Sequence, residues 1–242
     1  MKTVTSVVAL CIVFSSVTLK AQLKASPYEV GFNFGTSLYT GDLTPGILSS
    51  YKSPGLFFGI EGRKILNQRF TVRTSLSHGK IKANDANYAT PAWRKERNFN
   101  FQASVTEIAG NLIYYPLGAE RKLTPYVFAG VGYSFLKITR DYSNFNENYF
   151  AGEPKTLAGL SEDLNTDPPK GAFVLPVGAG IRYPISKKLS LNMETSYNLT
   201  RTDYLDGFSK AANPKHKDAY YTHTVGIIYT FGSKSMMDCP TK

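Results

Sequence analysis

The sequence predicts an all-β fold, an eight-stranded antiparallel up-and-down transmembrane β-barrel behind an N-terminal signal peptide. Three observations predict it. Apolar and polar residues alternate with period two in eight separate segments. Short and long connections between those segments alternate along the chain. The 242 residues are 42% hydrophobic and 13% aromatic, with 16 Tyr, 15 Phe and 20 Gly, so strand and turn formers carry the apolar content although mean hydropathy is −0.22. A soluble sandwich can show the same alternation, but its Greek-key connections have no reason to keep a short–long rhythm. An outer-membrane barrel keeps it, with tight periplasmic turns and long outer loops.

The elements follow in chain order. In "MKTVTSVVALCIVFSSVTLKAQ", Lys2 opens an apolar run and Ala21 offers the small residue at a cleavage point, giving a signal peptide over 1–21. The barrel then occupies 22–232, and 233–242 hang as a periplasmic tail. Export removes Cys11 and leaves Cys239 alone, so the mature chain has no intrachain disulfide. "YEVGFNFGTSLY" sets Tyr28, Val30, Phe32 and Phe34 against Glu29, Gly31 and Asn33. "GLFFGIEGR" sets Leu56, Phe58 and Ile60 against Gly59, Glu61 and Arg63, and "RFTVRTSLSHG" sets Phe70, Val72 and Leu76 against Arg73 and Ser75. "NFNFQASVTE" puts Phe99, Phe101, Ala103 and Val105 on its apolar side; after Glu107 the parity slips to Ile108, Leu112 and Tyr114, which predicts a β-bulge. "YVFAGVGYSFL", "FVLPVGAGIRY", "LSLNMETSYNL" and "THTVGIIYTF" complete the set. The short connections are "KILNQ", "PLGAERKLT" and "PISKKL"; the long ones span 40–53, 80–97, 139–170 and 205–218. Tyr28, Tyr114, Tyr126, Tyr183, Tyr197, Tyr221 and Tyr229 fall near strand ends, where interfacial girdles form.

Glu61, Arg63, Arg73, Glu107, Arg182 and Glu194 form the inward charge set. Eight strands leave an interior that side chains can fill, so these read as a paired ladder plugging the lumen rather than lining a pore. The net charge of +10, or +8 once Lys2 and Lys20 leave with the signal, suits anionic lipid headgroups on an exported protein and not nucleic acid. Acyl hydrolysis needs a Ser–His pair, but Ser77 and His78 face opposite sides of one strand, His223 lies on the apolar face near the outer rim, and His216 sits among loop lysines. The acidic stretch with Glu147, Glu153, Glu162, Asp163 and Asp167 lacks calcium-loop spacing and reads as solvated surface. Gly130 and Gly132 sit inside a strand with no helix after it, not in a phosphate loop. The sequence therefore carries no catalytic, metal or cofactor site.

"TVGIIYTF" resembles the terminal-strand signature of bacterial outer-membrane barrels at Thr224, Gly226, Tyr229 and Phe231, through which the last edge is offered to the barrel assembly machinery. "LYTGDL", "RFTVRTSLSHGKI", "LTPYVFAGVG", "PVGAGIRYPI" and above all "TDYLDGFS" together resemble the PorG-type outer-membrane barrel of the Bacteroidota type IX secretion system, within a broader DUF6089-like family of unknown function, over Tyr28 to Pro240. Relatives tend to carry an acidic residue where Gly207 stands. The resemblance implies a non-catalytic component associated with a periplasmic ring lipoprotein. Arg121, Lys122, Lys187, Lys188 and Cys239 are then the candidate contacts, Cys239 either as an intermolecular disulfide or as a free thiol. The other classes are a stand-alone barrel whose outer loops bind ligand or lipopolysaccharide, and a lipid A-modifying enzyme.

Overall fold

The computed structural model describes residues 28–45, 51–119, 121–200, 202–212 and 217–231. The expected signal segment, the 233–242 tail with Cys239, and His216 lie outside the described residues. Eight strands, β1 (Tyr28–Thr40), β2 (Gly55–Ile65), β3 (Phe70–Asn84), β4 (Asn100–Tyr114), β5 (Thr124–Asp141), β6 (Gly171–Pro184), β7 (Leu189–Thr200) and β8 (Ala219–Phe231), pair in sequence order into a closed barrel. Every neighbouring pair is antiparallel, and β8 returns onto β1 from Tyr28↔Phe231 to Thr40↔Ala219. The predicted fold class is the observed one. Closure leaves no free edge, so the barrel can satisfy its backbone hydrogen bonds without water.

The outward face is lipid-like. Phe173 is 71% exposed, Leu56 65% and Val131 64%, within an apolar belt that runs around the whole barrel. A surface of this extent is unstable against water and is the hydrocarbon-facing band of a membrane-spanning barrel. No helix among the described residues is long and apolar enough to cross a membrane; this chain crosses with strands.

β4 corrects one expectation. Its ladder to β3 runs unbroken from Phe70↔Tyr114 to Asn84↔Asn100, and its ladder to β5 is equally regular, so there is no bulge after Glu107. Phe101, Ala103, Val105, Glu107, Ala109, Asn111 and Ile113 all point inward. What changes is the surroundings. Below Thr106 the outside is hydrocarbon, which selects Ile108 and Leu112; above it the outside is headgroup and then water, and Gln102 and Ser104 take those positions while the inside becomes an apolar core. β3 inverts at the same level, with Lys80 and Lys82 outside and Ile81 and Ala83 inside. β5 follows, with Phe135 the last apolar outward residue before Lys137 and Thr139. These strands have 15, 15 and 18 residues, against the ~9–11 needed to span a bilayer. They stand above the belt as a wall.

The wall encloses a core of Ile81, Phe101, Ala103, Val105, Leu136 and Tyr220, onto which the outer connections lay Leu43, Phe99, Leu160, Leu205 and Phe208. Phe99 and Phe208 stack with centroids 4.2 Å apart. At the opposite end Ile113, Tyr115, Ala119, Tyr126 and Phe128 form a second apolar floor. Tyr126 is therefore not a girdle residue: it points inward and is 1% exposed. Among the described residues two α-helices lie in the outer connections, α1 (Trp93–Arg97) and α2 (Pro154–Leu164). The second interrupts the long acidic connection, and Pro154 at its first turn with Leu157, Leu160 and Leu164 at helical spacing are its sequence signals.

Candidate functional site

The lumen is polar, and the structure places all six predicted charged residues inside it, with Arg182 at its short-turn end, level with the second apolar cluster. Arg63 meets Glu61 through Nε at 2.9 Å and Nη2 at 2.6 Å. Arg73 bridges Glu61 at 3.4 Å and Glu194 at 2.6 Å, with its guanidinium 4.3 Å from the Phe128 ring centroid. Tyr126 donates to Glu194 at 2.9 Å. Arg182 forms a two-pronged pair with Glu29, at 3.0 and 2.7 Å, and Thr230 donates to the same carboxylate at 2.9 Å. Glu107 is set apart: it accepts from Ser134 at 3.2 Å and from the Tyr220 hydroxyl, and among the described residues no cation forms a salt bridge with it. Glu29 escaped the predicted set although it occupies a polar alternation position of β1; its partner Arg182 was in the set. The internal polar cavity lined by Glu61, Arg73, Glu107 and Glu194 is about 50 Å³, room for a few waters rather than a channel.

The outer mouth is closed by a network that period-two reading could not reach. α1 delivers Arg94 and Arg97, one turn apart, onto buried Asp85: Arg94 at 2.9 Å, Arg97 at 2.6 and 3.0 Å. Both guanidinium groups also donate to the carbonyl of Asp42, stitching the first outer connection to the second. Asp163, at the end of α2 and fully buried, accepts the backbone N–H groups of Ser209, Lys210 and Ala211 at 3.1, 3.0 and 2.8 Å. The expectation that this acidic stretch is solvated surface fails at Asp163, because a carboxylate that accepts three backbone amides is worth more inside than out. Arg140 of β5 donates to the carbonyls of Asp163 and Gly207 at 2.7 and 2.9 Å, clasping the third connection to the fourth. Gly207 has φ +83°, a conformation in which an acidic side chain at this position would be strained. Asp163→Ala should strip three amides at once, each worth about 1–3 kcal/mol when buried. The expected result is much faster trypsin cleavage after Lys210, with the barrel itself still resistant; unchanged cleavage would refute the clasp.

At the centre of this cap, Tyr39 of "LYTGDL" joins Asp206 of "TDYLDGFS" and Asp218. The Tyr39 hydroxyl lies 2.7 Å from Asp206 Oδ2 and 2.5 Å from Asp218 Oδ1. A hydroxyl carries one proton, so it can donate to one carboxyl only; the other must itself be protonated and donate back. Burial pushes the Asp218 carboxyl up to about 8. Burial first, and the Asp218 charge second, hold Asp206 well above the usual carboxylate range. Asp218 also accepts the Leu205 N–H at 2.9 Å and Asp206 that of Phe208 at 2.9 Å, which fixes the turn that drops Leu205 and Phe208 into the mouth. Among the described residues no group of three or more His, Cys, Asp or Glu is placed to hold a metal ion.

The remaining predicted residues scatter. His78 faces outward and meets Thr106 Oγ1 at 2.8 Å, and Ser77 points inward. His223 is hydrogen-bonded to Thr195 at 3.0 Å and Tyr51 at 3.2 Å on the outer rim beside Tyr221. Arg121, Lys122, Lys187 and Lys188 are exposed on the short turns. Thr224 and Gly226 face the lumen, Tyr229 and Phe231 the lipid. Gly226 has a reason in the finished barrel: a Cβ there would sit 2.0 Å from Asn33 Oδ1 and 2.5 Å from Asn192 Oδ1.

The chain is similar in fold to solved membrane barrels. Neisserial surface protein A superposes with a TM-score of 0.47 at 14% identity, covering 84% of this chain and 97% of that one. The outer membrane protein OprG from Pseudomonas aeruginosa gives 0.45 at 12% identity, over 87% and 98%. Ail, the attachment invasion locus protein of Yersinia pestis, gives 0.45 at 12%, over 85% and 99%. No curated protein matches the chain. The family model described as a domain of unknown function, DUF6089, matches residues 4–240, and the chain belongs to that family.

Proposed function

We propose that this barrel is a non-catalytic integral component of the outer membrane that anchors or organises the periplasmic lipoprotein ring of the type IX protein secretion apparatus. The observation that carries this reading is the closure of the barrel by its own residues. Arg–Glu pairs occupy the lumen down to its short-turn end, an apolar core closes the outer mouth, and what remains available on the short-turn side is display rather than passage. Arg121 and Lys122 on one turn and Lys187 and Lys188 on another present cations there, on backbone pinned by Thr124 donating to the Arg121 carbonyl at 2.8 Å and by the Thr230 amide donating to the Lys188 carbonyl at 2.8 Å. Fixed cations of this kind suit an acidic partner surface. The sequence resemblance to PorG-type proteins supplies the identity of the partner.

The test is co-purification of the ring lipoprotein from native envelopes in mild detergent. Reversal of the four turn charges, Arg121→Glu, Lys122→Glu, Lys187→Glu and Lys188→Glu, should weaken capture by about tenfold or more, with heat-modifiable migration of the barrel retained. Absence of the lipoprotein from the wild-type preparation, or equal capture by the charge-reversed barrel, would sink the proposal.

A further inference from the structure

The wall formed by β3–β5 carries a second surface, on the opposite end from the basic turns. Register places Lys80 of β3, Ser104 of β4 and Lys137 of β5 side by side in one outward row, with Lys82, Gln102 and Thr139 in the next row up. Neighbouring strands are about 4.8 Å apart, so Lys80 and Lys137 are about 10 Å apart at the backbone, and Lys82 stands about 7 Å further along β3 from Lys80. All three lysines are exposed, and none forms an ion pair with another described residue. Asp141, one row above, is the outward acid of this face. Directly beneath lie His78 and Thr106, then Leu76, Ile108 and Tyr133 of the lipid belt. The cations thus sit at the height where hydrocarbon gives way to headgroups. At the outer ends of β7 and β8 the outward residues are Tyr197, Leu199, Tyr221 and His223, a rim without lysine or arginine.

We propose that this three-strand face binds the phosphorylated headgroup of an outer-leaflet lipid, with Lys80, Lys82 and Lys137 contacting phosphate and Ser104 and Gln102 supplying hydrogen bonds between them. The case rests on charge complementarity and depth together. Lysine stems can lie along acyl chains while the ammonium groups meet anions at the interface, and three flexible point charges suit headgroup phosphates without fixed bidentate geometry. Strands of ordinary spanning length would put nothing at this height; the overshoot of β3–β5 is what places the lysines there. The inference requires membrane placement with the long connections outward, but not the secretion role.

The experiment is native mass spectrometry of the full-length mature barrel in detergent, with bis-phosphorylated lipid A and the same lipid stripped of phosphate added in parallel. The wild type should prefer the phosphorylated lipid by about tenfold or more. Lys80→Ser/Lys82→Ser/Lys137→Ser should abolish that preference, the three Lys→Arg changes should keep it, and Lys187→Ser/Lys188→Ser should leave it intact. If the triple serine variant does not fold, Lys137→Ser alone should lower the preference by about threefold. Equal binding of the two lipids by the wild type, or an unchanged preference in the serine variants, overturns the proposal. So does capture of a soluble sulfated polysaccharide that phosphorylated lipid fails to displace. Failure of ring-lipoprotein capture would leave this result untouched, so the two proposals fall separately.

Discussion

Replacing Glu61 by leucine is expected to destabilise the barrel by about 3–5 kcal/mol, seen as a lower urea midpoint for loss of the compact, heat-modifiable form in lipid vesicles. Glu61 is 4% exposed and supplies the carboxylate that faces Arg63, whose side chain is wholly inaccessible. Without it, the Arg63 guanidinium remains charged in a medium that cannot solvate it, with the Tyr126 ring at 5.9 Å as weak compensation. Arg73 suffers less, because Glu194 still holds it at 2.6 Å. This asymmetry makes the prediction specific. Glu61→Leu combined with Arg63→Met should recover most of the loss, since removing both members of a buried pair is often neutral while removing one is not. Arg73→Met placed in the same Glu61→Leu background should recover little, as it orphans Glu194 in turn. If both double variants recover equally, the pairing assigned here is wrong and the lumen behaves as an unspecific polar fill.

That ladder was legible from the sequence for a simple physical reason. A barrel strand has one face in lipid and one in the lumen, so period two sorts Glu61, Arg63, Arg73, Arg182 and Glu194 inward without knowledge of their partners. The same rule misled where its premise ended. Period two puts Phe99, Phe101, Ala103 and Val105 on the apolar side of their strand, and above the bilayer that side is the inside. A parity slip in a transmembrane strand can therefore mark the membrane surface instead of a bulge. β3 carries the same sign, in the passage from Leu76 outside to Ile81 inside, and agreement between paired strands separates the two explanations. Tyr126 was misplaced by a related shortcut: proximity to a strand end says nothing about side, and parity with Thr124 and Phe128 would have put it in the lumen. The cap was out of reach altogether. Tyr39, Asp206 and Asp218 are separated by up to 179 residues, and no periodicity links them; "LYTGDL" and "TDYLDGFS" stood out as motifs, but only closure of the barrel brings them together.

Raising the pH from about 5 to about 8 is expected to loosen the outer cap, and the sign follows from the Asp218 carboxyl. Its folded value of about 8 lies above that of an unfolded aspartate, near ~3.9. The folded cap therefore holds a proton that the open cap releases. Stability from this group is complete below the unfolded value, falls by about 1.4 kcal/mol per pH unit between the two, and is fully lost once pH passes the folded value. The charges of Asp203 and Asp42 push Asp218 the same way as burial does, while hydrogen bonds from Tyr39 and the Leu205 amide oppose it, so the direction survives. Hydrogen-exchange protection of residues 202–212, corrected for intrinsic rates, should decline across this window and level off above it, with the barrel strands unaffected. Asp218→Asn keeps an acceptor for the Leu205 amide and supplies a permanent donor to the Tyr39 oxygen, leaving the Tyr39 proton for Asp206. It should hold the cap closed throughout and flatten the profile. Tyr39→Phe removes the hydroxyl between two carboxyls and should lower protection at every pH, most at the alkaline end. Protection that rises with pH, or an Asp218→Asn profile identical to wild type, would mean that the three oxygens do not share a proton and that the cap is held by Asp163 and Arg140 alone.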